Sequence, residues 1–277
     1  FLCATALTYF FIDFLIKKSQ SKFKLSKFII YVLLATICDV MPLRKINKII
    51  AQNVLNNFKL KDNEAISFIF DQYHLKKDIT VEDLGFLIGP IINSGGRLGY
   101  SQYGVQLLSS DNQKIIEDRS IRLIKLNDKR KKIEQNILKE IDFEKINDEN
   151  RNIIIYYKNN INEGLIGIIA ARLKDYFNKP SIVITTSNNQ LKASCRSTPT
   201  YNIGSLIKSL IQNKIIESGG GHNMAAGFTI KKGNIKLLKN FIQNDYSKNF
   251  SNSSNLIKYD IELSLSALNV KFLRDLN

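Results

Sequence analysis

The chain has 277 residues, which exceeds the usual size of a single domain, so two domains are expected. Hydrophobic residues make up 44% of it and charged residues 23%, which excludes a globally disordered chain. The 40 Lys and Arg residues against 25 Asp and Glu residues give a formal net charge of +15, which favours a polyanionic partner such as nucleic acid. An AT-rich genome imposes a similar excess of Lys, Asn and Ile on any protein, so charge alone leaves the partner open.

The three cysteines lie far apart and form no CxxC pair: Cys3, Cys38 and Cys195. This spacing argues against a disulfide framework and a zinc site, and it favours the reducing cytoplasm. Residues 1–16 are apolar, but Asp13 interrupts them, and no initiating Met, basic n-region or cleavage site is present. We therefore predict a buried helix here, and neither a signal peptide nor a membrane segment. Because both chain ends fall within predicted elements, we expect the sequence to be a fragment.

The first part of the chain is predicted to be largely helical, because its apolar residues recur at helical spacing. Predicted helices cover residues 1–16, 28–38, 44–58 and 62–73, and residues 83–92 lead into the pair Gly95-Gly96. Residues 112–141 contain neither Gly nor Pro and predict one long helix that connects two domains. Its basic run at residues 129–132 is typical of a solvated face, and contact with phosphate stays open.

Beyond the long helix the pattern changes to α/β. Strands are predicted at residues 152–157, 181–186, 191–196 and 228–230, with the first two side by side in parallel, and helices at 163–177, 203–212 and 235–242. Residues 244–255 are polar and predict a linker, after which Tyr259 opens a further unit. The predicted fold class is α/β with a mixed sheet, and the predicted domain boundaries are 1–111, 112–145, 146–245 and 246–277.

A glycine run followed by a histidine is the most informative motif: Gly219, Gly220, Gly221 and His222. Glycines free to adopt positive φ angles beside an imidazole predict backbone N–H groups that converge on an anion. A tight turn with a surface histidine is the alternative. His74 has no such neighbours and is predicted to be structural.

Three other segments contain groups suited to phosphate or metal. Ser194 and Arg196 lie at the end of a predicted strand, where a guanidinium could bind two phosphate oxygens in a fork. Gly164 begins an apolar helix whose free N–H groups and dipole favour an anion, although a simple turn explains it as well. Asn93 and Arg97 are predicted to lie on a flexible loop, again suited to a sugar-phosphate chain. Asp39, one carboxylate at a helix end, cannot hold a catalytic metal without further ligands.

Five ordered segments together resemble the signature blocks of RecJ exonucleases, which belong to the DHH phosphoesterase superfamily. They are ATICDVMPL at 35–43, GPIINSGGRL at 89–98, GLIGIIAARL at 164–173, LKASCRSTP at 191–199 and GGGHNMAAGF at 219–228. Five blocks in order are far more specific than any one of them. The resemblance covers nearly the whole chain, from the last helices of a DHH domain, through the long helix, to a DHH-associated domain. Residues from Tyr259 onward resemble the lead-in to an oligonucleotide-binding domain.

The resemblance implies a metal-dependent 5′-to-3′ exonuclease that acts on single-stranded DNA in recombination and repair. In that family two divalent ions, Mn²⁺ or Mg²⁺, activate the attacking water, and Asp39 matches one of their ligands. The other ligands belong to upstream motifs that this sequence does not contain, so we expect the fragment alone to be inactive. A single-stranded-DNA-binding protein and a helicase are implied as further partners.

The resemblance also implies roles for individual residues. Ser194 and Arg196 match residues that hold the 5′-terminal phosphate, Arg97 matches one near the DNA path, and His222 lies in the substrate motif. The family's Trp-His is replaced by Ile161-Asn162, which puts the detail of the DNA contacts in doubt. Two alternatives stay open: a DHH-family phosphoesterase acting on short oligonucleotides or small nucleotides, and a catalytically dead relative that only binds DNA.

Overall fold

The computed structural model describes residues 1–148, 151–187, 190–249, 259 and 261–276. Within these ranges a set of α-helices accompanies one five-stranded sheet, so the predicted α/β class is confirmed. None of the helices in these ranges combines the length and the apolar character that a membrane crossing requires.

The first half is a helical unit built around one core. Its helices are α1 (Ala4–Ser19), α2 (Ile29–Cys38), α3 (Ile46–Asn57), α4 (Glu64–Gln72), α5 (Gly89–Arg97) and α6 (Gln102–Ser109). A wider π-helical turn, Asp83–Ile88, leads directly into α5. Phe70, Leu33 and Ile66 are fully buried at the centre of this unit. His74 adopts a left-handed backbone (φ 55°) just after α4, which fits the predicted structural role.

Helix α1 is present, but the prediction that it is buried is wrong. Ala6 is its one buried residue, whereas Leu7, Phe11 and Phe14 are each more than half exposed. The reason is geometric: the helix is apolar on several sides, and only the stripe that faces its neighbours in the helical unit can be covered.

Helix α7 (Gln113–Lys139) confirms the predicted single long helix. Leu123 near its middle belongs to the core of the helical unit, whereas Ile137 near its end packs with residues of the α/β unit. Asn112 caps the helix by accepting from the amides of the residues at its start. A short helix α8 (Phe143–Asp148) follows. One helix therefore contributes side chains to the cores of both units.

The α/β unit contains one mixed sheet with the strand order β1-β2-β3-β5-β4. The strands are β1 (Ile154–Tyr157), β2 (Ser181–Ser187), β3 (Gln190–Arg196), β4 (Ser218–His222) and β5 (Ala225–Ile230). Strands β1 and β2 are parallel, as predicted, and all other neighbours are antiparallel. The helices of this unit are α9 (Glu163–Phe177), α10 (Ile203–Gln212) and α11 (Ile235–Asn249).

The helices cover the two faces of the sheet unequally. Val183 of β2 packs with α9 on one face, whereas Ile182 and Ile184 pack in the same core as α10 and α11 on the other. Gly204 lets α10 approach β4, because a Cβ atom there would lie 2.9 Å from the backbone of His222. On the α9 side, β5 and β4 extend past the helix, and nothing lies within 4 Å of a Cβ placed on Gly220. One face of the sheet therefore stays open at these two strands.

The predicted linker is partly wrong. Residues 244–249 continue α11, where Asp245 accepts a hydrogen bond from the hydroxyl of buried Tyr201 and Tyr246 packs against the Tyr201 ring. The polar composition of residues 244–249 gave no indication of this packing against the α/β unit. Residues 250–258 of the predicted linker lie outside the described part of the chain. After them the structure shows α12 (Val270–Leu276), and the predicted start of an oligonucleotide-binding domain stays a prediction.

Candidate functional site

A cleft of about 940 Å³ lies where the helical unit meets α9 of the α/β unit. Asp39 from the end of α2, and Asn93 and Arg97 from α5, line it on the side of the helical unit. Arg130 and Lys131 of the long helix α7 also line it. The structure thus brings three predicted site residues, one acidic and two donors, to a single cavity.

Asp39 lies exposed at the C-terminal end of α2, as its sequence position predicted. The helix ends here because Val40 adopts a left-handed backbone (φ 51°) and Pro42 follows. A carboxylate at this end meets the negative pole of the helix dipole, which a bound cation would offset. Beside it, burial and the negative charge of Asp39 raise the pKa of the Cys38 thiol.

The described residues do not complete a metal site. Asp39 is not part of any group of three or more His, Cys, Asp or Glu side chains around a common point in the ranges given above. One carboxylate does not satisfy the ligand number that Mg²⁺ or Mn²⁺ requires. Asp39 is therefore a single candidate ligand, and the other ligands of a metal would have to come from outside the described residues.

Arg97 lies in the last turn of α5, so the prediction that residues 93–97 form a flexible loop is wrong. Glycine is a poor helix former, but here it permits close packing: a Cβ on Gly95 would lie 2.6 Å from the carbonyl oxygen of Tyr100. Ser94 is buried and donates to the carbonyl of Leu123 on α7. The segment is a rigid helix end rather than an adaptable loop.

Arg97 joins the two units. Its Nη1 donates to the carbonyl oxygen of Gly164 in α9 at 3.0 Å. A Cβ on Gly164 would lie 2.3 Å from the carbonyl oxygen of Arg97, so only glycine permits this approach. The amide of Gly164 donates to Oδ1 of Asn162, which caps the helix. The predicted free N–H group at Gly164 is thus already occupied in this structure, and the glycine serves the contact between α5 and α9.

Ser194 and Arg196 project from β3 towards the first turns of α9. Nη1 of Arg196 donates to Oγ of Ser194 at 3.3 Å and to the carbonyl oxygen of Cys195 at 2.8 Å. A Cβ on Gly167 would lie 3.0 Å from Arg196 Nη2 and 3.1 Å from Ser194 Oγ, so this glycine makes room for both side chains. Cys195 points to the opposite face, where burial raises its pKa to about 12 and keeps it a neutral thiol.

Arg97 is in an unusually cationic environment. Burial lowers its pKa first, and the positive charges of Arg130 and Arg196 lower it further, whereas Glu134 raises it. The positive charges of Arg130 on α7 and Arg196 on β3 therefore both act on the guanidinium of Arg97. Sequence reasoning had noted Arg130 only as part of a basic run and had missed Glu134 entirely.

The glycine run is an extended strand, so the prediction of a positive-φ anion nest is wrong for Gly219 and Gly220. The run pairs with β5 along its whole length. Contacts explain two of the three glycines: a Cβ on Gly219 would lie 2.9 Å from the carbonyl of Gly227, and one on Gly221 would lie 2.4 Å from the carbonyl of Ala225. Gly220 instead faces open space, so its small size leaves the sheet surface free.

His222 lies at the same end of the sheet as Arg196. Ala225 pairs with Arg196 on one side and with His222 on the other, and Gly227 likewise joins Ser194 to Gly220. Directly opposite residues share a face of the sheet. Ser194, Arg196, Gly220 and His222 therefore line one surface across three strands, roughly 10 Å wide. The amide of Met224 donates to Nδ1 of His222 at 3.3 Å, and Oδ1 of Asn223 lies 3.4 Å from the same nitrogen. These contacts with neighbouring described residues use Nδ1 and leave Nε2 available to a ligand.

Comparisons with known proteins show what this chain is similar to. Residues 150–248 match the family model of the DHHA1 domain. The chain is 30% identical over 211 residues to the single-stranded-DNA-specific exonuclease RecJ of Haemophilus influenzae, across 73% of this chain and 37% of that protein. It is 29% identical over 218 residues to the protein of the same name from Escherichia coli, across 75% and 38% of the two chains.

A solved structure shows the same fold. RecJ from Thermus thermophilus in complex with Mn²⁺ superposes with a TM-score of 0.70 at 20% identity, across 80% of this chain and 33% of that one. Residues 150–248 therefore match a DHHA1 domain, and the long helix joins them to the helical unit. The resemblance of this chain to the RecJ-type exonucleases is confirmed. The chain spans 37 to 38% of the length of these two curated relatives.

Proposed function

We propose that the complete protein is a metal-dependent exonuclease that degrades single-stranded DNA from the 5′ end, in recombination and repair. One observation carries the proposal: Arg97 lines the cleft that holds Asp39 and also contacts α9, against which Ser194 and Arg196 pack. A candidate metal ligand and a candidate phosphate site are thereby connected through one residue. The similarity to proteins named single-stranded-DNA-specific exonucleases supports the same function.

In this proposal Asp39 is one ligand of a pair of divalent ions, Mn²⁺ or Mg²⁺, and the other ligands lie upstream in the complete protein. The ions would activate water and stabilise the leaving oxygen. Because the described residues supply one carboxylate of the set, we expect the 277-residue chain alone to lack nuclease activity.

The opposite wall of the site binds the strand. Arg196, with its planar fork, and Ser194 hold the 5′-terminal phosphate there. Asn93 and Arg97, which lie on the same side of the cleft as Asp39, contact the strand on its way to the metal. His222 donates from Nε2 to a phosphate, and Gly219, Gly220 and Gly221 keep the adjacent surface free for the backbone. The open face beside Gly220 and the shared face of Arg196 and His222 support this assignment.

Single-stranded DNA is the principal partner in this proposal, and a single-stranded-DNA-binding protein and a helicase are further partners. A cytoplasmic location is part of the proposal, since all three cysteines are free thiols. Fractionation of cells that express the tagged protein checks the location, and recovery in a membrane fraction would contradict it.

The decisive experiment compares the complete protein with its Asp39→Ala variant. We expect Mn²⁺-dependent release of mononucleotides from the 5′ end of a long single strand, and a loss of more than about a hundredfold in rate for the variant. Asp71→Ala is the matched control, because Asp71 is an exposed carboxylate near the end of α4, away from the cleft. Binding of DNA without metal should be retained by both variants.

Three outcomes would contradict the proposal. Cleavage of dinucleotides with no attack on long strands would indicate a small-nucleotide phosphoesterase. Binding of single strands without any cleavage would indicate a catalytically dead relative. Unchanged turnover in Asp39→Ala would remove Asp39 from the metal site.

A further inference from the structure

Arg130 lies in the cleft with most of its side chain enclosed. Its side chain is 13% exposed, and it lines the cavity together with Arg97. Nη1 donates to Glu134 at 3.0 Å, while Nε and Nη2 donate to Oδ1 of Asn127 at 3.2 and 3.0 Å. Within the described part of the chain, these bonds use three of its five N–H groups. A guanidinium held so firmly has two donors left for a ligand in the cleft.

Glu134 is the counter-ion of this arrangement. Its side chain is 8% exposed, and its second oxygen accepts from Nε of Arg172 on α9 at 2.8 Å. One buried carboxylate therefore binds a guanidinium of the long helix and a guanidinium of the α/β unit. Arg172 also lines the cleft, so both guanidiniums are presented to the same cavity.

The cluster carries more positive charge than its own groups neutralise. Arg130 and Arg172 pair with Glu134, and the charges of Arg130, Arg196 and Glu134 act on Arg97. Four guanidiniums and one carboxylate leave a net charge of +3 on these five side chains. Burial and the positive charges of Arg130 and Arg196 lower the pKa of Arg97, in keeping with its partly buried position in the cleft. An excess of cations around a partly enclosed cavity is stabilised by an anion that enters it.

We propose that Arg130 is a further phosphate-binding residue of the cleft and that Glu134 is the positioning residue that holds it. The ligand is an internal phosphodiester of the single strand, bound beside Arg97 rather than at the strand end. This inference rests on the proposed function, which it deepens by assigning a contact on the long helix. Arg172, oriented by the same carboxylate, flanks the strand from α9.

The first test measures equilibrium binding of the complete protein to a fluorescent 5′-hydroxyl oligothymidylate, without divalent metal and at several salt concentrations. Arg130→Gln should weaken binding about tenfold, the effect of losing one charged hydrogen-bonding contact. The slope of log affinity against log salt should fall by about 0.7, as expected for one phosphate contact on a single strand. Lys129→Gln is the matched control, because it removes the same charge from an exposed position on the same helix.

The second test separates positioning from simple charge. Glu134→Gln keeps the shape of the side chain and makes the cluster more positive, so Coulomb attraction alone would tighten DNA binding. If Glu134 positions Arg130, binding should instead weaken about fivefold or more, because the guanidinium loses its fixed orientation. Tighter binding by Glu134→Gln would overturn the positioning role.

The outcomes of these tests distinguish a failure of this inference from a failure of the proposed function on which it rests. If the unsubstituted protein fails to bind single strands, the proposed function fails and the inference fails with it. If it binds, and Arg130→Gln matches Lys129→Gln in affinity and slope, the inference alone is overturned. Thermal unfolding verifies that each variant is folded at the assay temperature. Should Arg130→Gln not fold, Arg130→Lys keeps the charge without the fork and should still bind more weakly than the unsubstituted protein.

Discussion

At the scale of single residues, the site depends on guanidiniums that are fixed before any ligand arrives. Arg196 is held by the hydroxyl of Ser194 and the carbonyl of Cys195, on a strand flanked by two others. The Arg130-Glu134 pair could have been found from its i, i+4 spacing, which brings the two side chains together on a helix. The pair was missed because Arg130 belongs to a run of four basic residues, and composition does not indicate which residue of the run faces the protein interior.

Substitution of Arg196 tests the terminal-phosphate site. Arg196→Ala in the complete protein should lower kcat/KM about 10- to 100-fold for 5′-phosphorylated strands, because a charged fork to the phosphate is lost. For 5′-hydroxyl strands the loss should be small. Lys192→Ala is the control, since it removes a cation from the same strand that donates instead to Thr229. Equal losses on both substrates would contradict the assignment.

At the scale of elements, periodic side chains predicted most of the fold, whereas the predictions for the two glycine-rich segments were wrong. The predicted bounds of α9 and α10 match the structure, because their apolar residues follow a helical period over several turns. Glycine has no side chain and thus no period. Ladder pairing with β5 makes Gly219 to Gly221 a strand, and packing against α7 keeps Gly95 helical. Strand β5 follows the glycine run closely and α7 lies further along the chain, but the glycines show no side-chain pattern that predicts either partner.

Two alanine substitutions in β4 should separate structure from binding. Gly221→Ala places a Cβ 2.4 Å from the carbonyl of Ala225 and should lower the free energy of unfolding by about 1–3 kcal/mol. Gly220→Ala meets nothing within 4 Å, so stability should change by less than about 0.5 kcal/mol. The added methyl should nevertheless weaken DNA binding, because it occupies the open face. Denaturant unfolding and DNA titration check the pair, and normal DNA affinity in Gly220→Ala would exclude that face from binding.

At the scale of the whole molecule, the cleft exists because two units are fixed against each other. The long helix α7 contributes to both cores, the contact of Arg97 with Gly164 joins α5 to α9, and Glu134 of α7 pairs with Arg172 of α9. The sequence predicted the connecting helix. It could not predict the two contacts, because they depend on how the units are oriented.

Substitution of Gly164 tests the contact between α5 and α9. Gly164→Ala would place a Cβ 2.3 Å from the carbonyl oxygen of Arg97, and backbone on both sides limits relaxation. The free energy of unfolding should fall by about 1–3 kcal/mol, and DNA affinity should fall because the cleft walls shift. Gly96→Ala is the control, since its Cβ would meet only Asn93 Oδ1, at 3.9 Å, so the helix should tolerate it or gain slightly. Wild-type stability and affinity in Gly164→Ala would show that the contact is dispensable.

The glycine strand also bears on what the surface can recognise. Over Gly219 to Gly221 the sheet presents backbone without side chains, and the cations near it are suited to phosphate. Base identity is distinguished by side chains that reach the edges of the bases, and this stretch offers none. A surface of this kind contacts only what every nucleotide has in common. An enzyme built on it would remove A, C, G and T from a strand end with little preference among them.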